Sequence, residues 1–399
     1  MLATTLLLTL LASADGDEAF TVSSPAVERP TGRLVKISAD GNAVLATAES
    51  DITVRDVISL RRTAAPLPPL PRGPVLVTTS GDRIPGKLID GNDQALRFHP
   101  ACCENNWNVP ISSIAVVWLT KPPADTPADL ARYAWLPANR NRDLVRFRNR
   151  DVATGTFEGF TPEKDAIRFK PENGAVRSIG LSELAAIAFN PTLARNRKPK
   201  GPYARLVLRD GTRLAAIGTV ADGKALKAKT LFGQTVQVAV ADLVSFDVLQ
   251  GKAIYLAEIK PKKVEQAGFL GSGWHWAANR TVRGHPLRLL TDGGECTFDR
   301  GLGMHPRTAL TYDLGGKYRR FEALVGLDAA TGAGGRATVR IFVDGKEQTL
   351  PELAKLAAGP AIPVRIDLDN ARELKVAVDF GPAGDVQADV DWADARLVE

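Results

Sequence analysis

Asp299–Gly326 reads DRGLGMHPRTALTYDLGGKYRRFEALVG, and its second half alternates. Phe321, Ala323 and Val325, continued by Leu327, fall on one face; Arg320, Glu322 and Leu324 fall on the other. A period of two is that of a half-buried β-strand, not of a helix. Gly301 and Gly303 lead into Met304-His305-Pro306. Glycine there admits backbone angles or close approaches that a Cβ would block, so the turn can present His305 outward.

The pattern extends downstream in a fixed order: Gly301-x-Gly303-x-His305, Tyr312-x-Leu314-Gly315, Phe321-x-x-x-x-Gly326-x-Asp328, Asp344-Gly345 and Asp391-Trp392-Ala393-Asp394. On these motifs the chain from about Gly251 to Glu399 resembles the NPCBM/NEW2 family. The resemblance implies a galactose-binding-like β-sandwich of the jelly-roll type, related to carbohydrate-binding modules that hold terminal galactose. Two positions depart from the family pattern. Pro306 replaces the small residue that usually follows the His, and Asp389 stands where a His commonly precedes the last Asp-Trp by two.

Upstream, one pattern returns about four times between Pro30 and Leu249. Its regular part is Ile52, Val54, Val57, Leu60; then Val109, Ile111, Ile114, Val117; then Ile179, Leu181, Leu184, Ile187; then Val238, Val240, Leu243, Phe246. Alternation that changes to a three-residue step describes a strand, one helical turn and another strand. Three copies are preceded by a hairpin signature, as in Ser80-Gly81-Asp82 and Asp210-Gly211; the third has Asn149-Arg150-Asp151 there, which predicts a looser turn. Each unit reads as a small, strongly bent β-meander or barrel of the SH3-like or Sm-like kind. The copies span 30–62, 74–120, 143–190 and 203–249, the first lacking a clear leading strand, and the sandwich follows at 251–399. Proline-rich joints at Ala64–Pro74, Lys121–Pro127 and Asn190–Pro202 read as semi-rigid linkers. The fold class is all-β.

At 399 residues, 44% apolar and 24% charged, the chain has material for more than one core. Residues 1–14 are apolar and end in Ala12-Ser13-Ala14, the small-x-small pattern of a signal peptide, although no Lys or Arg precedes the apolar run. An exported protein is expected, secreted, periplasmic or at the cell surface. No later apolar run reaches the ~20 residues of a membrane helix. Adjacent Cys102 and Cys103 and the distant Cys296 have no zinc spacing. Free thiols, a pairing of either with Cys296, or a bond between neighbours all remain open.

The formal charge of +6 includes Arg140-Asn141-Arg142, Arg146-x-Arg148-x-Arg150 and the run from Arg195 to Lys200. Such a balance attracts polyanions; for an exported chain these are acidic polysaccharide, cell-wall polymer or anionic headgroups rather than nucleic acid. Ordinary solvated loops carry the same composition.

Sugar recognition needs an aromatic face for the apolar side of a pyranose and fixed polar groups for its hydroxyls. Trp274, Trp276 and Asn279 supply both, and His305 adds a donor or acceptor; either Trp can instead cap the core. Asp328, Asp389 and Asp391 are candidate ligands for a structural calcium, or solvated turn carboxylates. There is no HExxH, GxSxG or P-loop, and four His in all, so no metal-hydrolase or acyl-enzyme constellation is evident. A glycosidase pair is defined by separation in space, which sequence does not give. The expected function is non-catalytic glycan binding by the sandwich, with the repeats as spacers or interaction units. The alternative is a cell-envelope scaffold binding other proteins.

Overall fold

The computed structural model describes residues 18–26, 28–63, 65–121, 134–137, 139–194, 199–267, 274–332, 334–382, 384 and 386–399. The leader at 1–14, Gly271, Gly273 and Arg195–Lys198 lie outside these residues. The described chain is built of strands, with only short helical turns.

The fourth copy shows the unit clearly. Tyr203–Leu208, Arg213–Ala221, Ala225–Thr230 and Thr235–Ala239 form an antiparallel meander. Leu243–Leu249 then returns to pair with the first strand and closes a barrel. The change of spacing is the 3-10 turn Val240–Asp242, matched by Ile111–Ser113 in the second copy. A single tight turn lets the last strand re-enter the core in phase, so Leu60, Val117, Ile187 and Phe246 are all buried.

Two expectations change. The first copy does have a leading strand, Ala19–Ser23, which pairs with Thr31–Ile37 and with Ser59–Arg62. The unit therefore begins before Pro30; two prolines between its first strands hide the hairpin from a turn-signal reading. The third copy's turn is not loose. Arg150 takes the left-handed conformation (φ 80°) and Asn149 Oδ1 accepts from the Asp151 amide at 3.0 Å, an Asx turn doing the work of glycine.

The closing strands also pair across copies. Ile114–Trp118 lies antiparallel to Leu184–Ala188, and Ser59–Arg62 to Leu243–Leu249. The second copy is thus joined to the third, and the first to the fourth. One apolar cluster runs through all four.

The C-terminal sandwich has two antiparallel sheets. One runs Ala277–Ala278, Gly301–Met304, Val390–Val398, Arg320–Leu327, Ile362–Asp367; the other runs Lys263–Gln266, Thr308–Asp313, Glu373–Phe380, Arg336–Val343, Lys346–Glu347. Trp392, Phe321, Tyr312 and Ile341 fill the space between them. The outer face of the first sheet is covered by the hairpin Leu287–Thr291/Gly294–Phe298, whose Leu287 and Leu289 are buried.

The strand Arg320–Leu327 is not half-buried: Arg320 and Glu322 are buried as well. The reason is that the sandwich sits on the first barrel. Glu322 Oε1 accepts from Arg320 Nε at 2.7 Å; its Oε2 accepts from Arg396 Nη2 at 2.8 Å and from Arg29 at 3.1 Å. Arg320 also donates to the Pro25 carbonyl, and Arg396 to Ser59 Oγ. Further along the same boundary, Arg61 pairs with Asp247 and Asp394, Tyr255 donates to Asp247, and Arg213 donates to Asp299 at 2.9 Å. Buried charges persist only when paired and hydrogen-bonded, so the repeats form a base to which the sandwich is fixed rather than a detached spacer.

Candidate functional site

At one end of the sandwich the irregular stretch 274–276, the loop 279–286, the turn at 305–307 and the entry to the last strand come together. Gly303 makes this possible: a Cβ there would lie 2.5 Å from the Arg280 carbonyl oxygen and 2.7 Å from Thr281 Cα. The loop crosses directly over the glycine, and Leu302 and Met304 on either side point into the core.

The loop delivers Arg283 to Asp389, whose Oδ2 accepts from Arg283 Nε at 2.8 Å. Asp389 Oδ1 lies 2.7 Å from His305 Nδ1. Burial alone would raise the Asp389 carboxyl, but the hydrogen bonds and charge of His305 and Arg283 outweigh it and hold the group below the usual carboxylate range. An ionised carboxylate only accepts, so His305 Nδ1 carries hydrogen. In the neutral ring this leaves Nε2 as an acceptor for a hydroxyl donor.

Arg283 Cζ also sits 5.5 Å from the centroid of the Trp274 ring, within cation–π range. Trp274 is 50% exposed. Gln266 Nε2 donates to the Trp274 carbonyl at 3.2 Å and holds the platform from below. Trp274, Arg283, Asp389 and His305 thus form a continuous chain, with an open aromatic face at one end and an imidazole at the other.

The other sequence candidates divide. Trp276 packs against the sandwich core. Asn279 does not join the group: it turns the chain at φ 59° and its Oδ1 accepts from the Gly301 amide at 3.2 Å. The possible calcium ligands share one face of the sheet but differ in role. Asp389 is taken by His305 and Arg283. Asp328 and Asp391 are buried as well, each with one carboxylate oxygen lacking a hydrogen-bond partner among the described residues. Burial and the Asp328 charge push Asp391 well above the usual range, and burial raises Asp328. Among the described residues no group of three or more acidic, His or Cys side chains is arranged to hold a metal ion. Burial and like charge thus favour the protonated form of both Asp391 and Asp328.

Cys102, Cys103 and Cys296 are free thiols, with the Cys102 and Cys103 sulfurs 3.6 Å apart. No described helix is long and apolar enough to cross a membrane. A lone Arg in a glycine-containing loop carries no periodic signal, so the sequence alone does not mark Arg283. Asp389 was visible as the residue standing in place of a His, and its bond to His305 gives that exchange a meaning.

The structure thus sets an exposed tryptophan beside the buried, ion-paired Asp389 at one end of a two-sheet sandwich. Residues 252–398 match the family model described as the NPCBM/NEW2 domain, and this part of the chain is a domain of that family. A curated relative from Renibacterium salmoninarum, named "Putative endo-alpha-N-acetylgalactosaminidase", is 30% identical over 116 residues; the match covers 29% of this chain and 7% of that protein. The chain thus spans a small part of that relative's length. Among solved structures, the chain is similar to a CBM51 from Clostridium perfringens GH95 in complex with methyl-galactose, at 20% identity and a TM-score of 0.34, covering 37% of this chain and 99% of that one. It is similar also to the tandem CBM51 modules of a family 98 glycoside hydrolase from Streptococcus pneumoniae, at 12% identity and a TM-score of 0.34, covering 81% and 87%.

Proposed function

We propose that the chain is an exported, non-catalytic glycan-binding protein, and that Trp274, Arg283 and His305 hold a terminal sugar at the open end of the sandwich. The observation that carries this reading is the half-exposed Trp274 ring, fixed by Gln266 and Arg283 beside His305. Its free face suits the CH face of a pyranose, and Arg283 and His305 Nε2 suit the hydroxyls. The charge pattern supports the absence of glycoside hydrolysis. That reaction needs two carboxyl groups flanking the bond, whereas Asp389 is neutralised by two cationic or donating partners and Asp391 is buried. The repeats present the module; envelope proteins remain a second class of partner for their outer surfaces.

A glycan array probed with the whole chain, followed by calorimetry on the best ligand, tests this. Trp274→Ala should weaken binding by about 1–3 kcal/mol, an aromatic-contact scale taken from base stacking, with little change in melting. Trp276→Ala should instead cost about 3–5 kcal/mol of stability, as removal of a packed aromatic does. Undiminished binding by folded Trp274→Ala and His305→Ala, or silence across the array, would refute the assignment.

A further inference from the structure

A cavity of about 850 Å³ opens where the second and fourth barrels meet the sandwich, and nothing in the sugar platform uses it. Tyr203, Arg205 and Arg83 line it from the barrels; Arg280, His285 and Arg300 line it from the sandwich. Its volume falls within the roughly 300–1,000 Å³ of small-molecule sites. Five arginines face it against three acids.

The acids are already engaged. Asp299 accepts from Arg213, Glu258 from Arg300, and Asp247 from Arg61. Arg205 is held by Asp82 at 3.2 Å and by the Gly81 carbonyl at 2.8 Å. The Arg280 guanidinium makes no hydrogen bond or ion pair with a described residue, yet its backbone is pinned where the loop crosses Gly303. Among the described residues it is therefore a cation without a counter-ion, carried on a fixed backbone.

Arg205 and Arg300 add to this. Burial lowers the proton affinity of Arg205, and although Asp82 opposes the shift, the charge of Arg300 lowers it further. Arg300 differs: burial would lower it, but Tyr255, Glu258 and Asp247 outweigh burial and raise it, so in this partly enclosed cleft an anion has most to offer Arg280 and Arg205. The rest of the wall mixes polar groups such as Thr79, Ser80 and Gln250 with apolar ones that include Leu67, Phe298, Pro286 and the Tyr203 ring. Carboxylate or sulfate groups suit the arginines through charge-assisted hydrogen bonds. Sugar CH faces suit the aromatic wall.

We infer that this cleft is a second ligand site, taking an acidic oligosaccharide whose carboxylates or sulfates meet Arg280 and the other arginines of the wall, Arg205 and Arg300. The inference rests on the glycan-binding reading for its choice of ligand class, but not on the Trp274 platform. Its position between three units means that the site exists only when sandwich and barrels are docked.

The test is calorimetry on the full chain with trigalacturonate, and with its methyl ester, which keeps the shape and loses the charge. Trigalacturonate should bind and the ester should bind at least about tenfold more weakly, a loss of the order expected for one charge-assisted contact. Arg280→Glu should weaken trigalacturonate by at least about tenfold, and Trp274→Ala should leave it within about twofold. Arg280 has no partner among the described residues, so its replacement strands no buried group among them; melting is checked alongside. No binding of trigalacturonate, equal binding of the ester, or dependence on Trp274 without dependence on Arg280 would each overturn the inference. So would tighter binding of an oligonucleotide of equal charge at Arg280, which would make the ligand a nucleic acid. If neutral glycans fail on the array while Arg280-dependent trigalacturonate binding persists, the platform reading falls and this one stands.

Discussion

Glu322→Gln offers a direct test of whether the sandwich and the first barrel behave as one body. Glu322 is 4% exposed and accepts four hydrogen bonds, from Arg320, Arg29 and, twice, Arg396. Burial would raise its carboxyl, but the charges and hydrogen bonds of Arg396, then Arg29 and Arg320, hold it below the ordinary range. Gln keeps the shape and removes the charge, leaving Arg320 and Arg396 buried without a counter-ion. Breaking one partner of a buried ion pair costs about 3–5 kcal/mol, and the value here should lie in that range. Urea unfolding of the full chain at pH 7 measures it, and calorimetry shows whether the sandwich now melts apart from the barrels. The pH profile supplies a second reading. Because the folded group has the lowered pKa, its stabilisation is present above the unfolded value of about 4.3 and lost as pH falls through the folded value beneath it. Wild type should lose stability on that acid limb and Glu322→Gln should lack its share. A variant as stable as wild type at pH 7, melting in one transition, would show that the contacts across this boundary contribute nothing.

Asp391→Asn should raise the melting temperature at pH 7–8. The folded carboxyl has a raised pKa, so its penalty grows as pH rises above the unfolded value of about 3.9. The side-chain amide oxygen can keep accepting from the Arg288 N–H without a buried charge; a fall in melting temperature would refute the reading of Asp391 as a carboxyl penalised by burial. Leu184→Ala and Leu243→Ala, at fully buried matching positions of the third and fourth barrels, should each cost about 2–5 kcal/mol by chemical denaturation. Near-neutral effects at both would undo the alignment of the copies. Asp389→Asn should weaken glycan binding as much as His305→Ala does, measured by titration, because it releases both His305 and Arg283; full affinity would show that neither needs the carboxylate.

Much of the fold lies open in the sequence because it rests on local periodicity. The three-residue step that marks Val240–Asp242 and the alternation through Phe321, Ala323 and Val325 are near-neighbour patterns. The motifs Gly301-x-Gly303 and Asp391-Trp392 likewise place two adjacent strands in register. What is not legible depends on residues far apart in the chain. Ala19–Ser23 becomes a leading strand only because Ser59–Arg62 returns beside it. Arg320 and Glu322 look like the wet face of a strand until Arg29, Ser24 and Pro25 cover them. The candidate site is legible in part for the same reason. Trp274 and His305 carry a chemical signature wherever they stand, while Arg283 acquires its role from a loop crossing over a glycine. Asn279 has the right chemistry, but its turn spends it on the Gly301 amide.

The pairing of closing strands between copies has a consequence for how such a chain can change in length. Each barrel hides its last strand against another copy's last strand, Val117 opposite Ile187 and Leu60 opposite Phe246. Removing one copy would uncover a row of unpaired backbone donors and acceptors, a ready template for another molecule. Loss or gain of units is therefore tolerable in twos and hazardous in ones. A chain trimmed to three copies should recruit its missing neighbour from a second molecule, by dimerisation or aggregation through that strand.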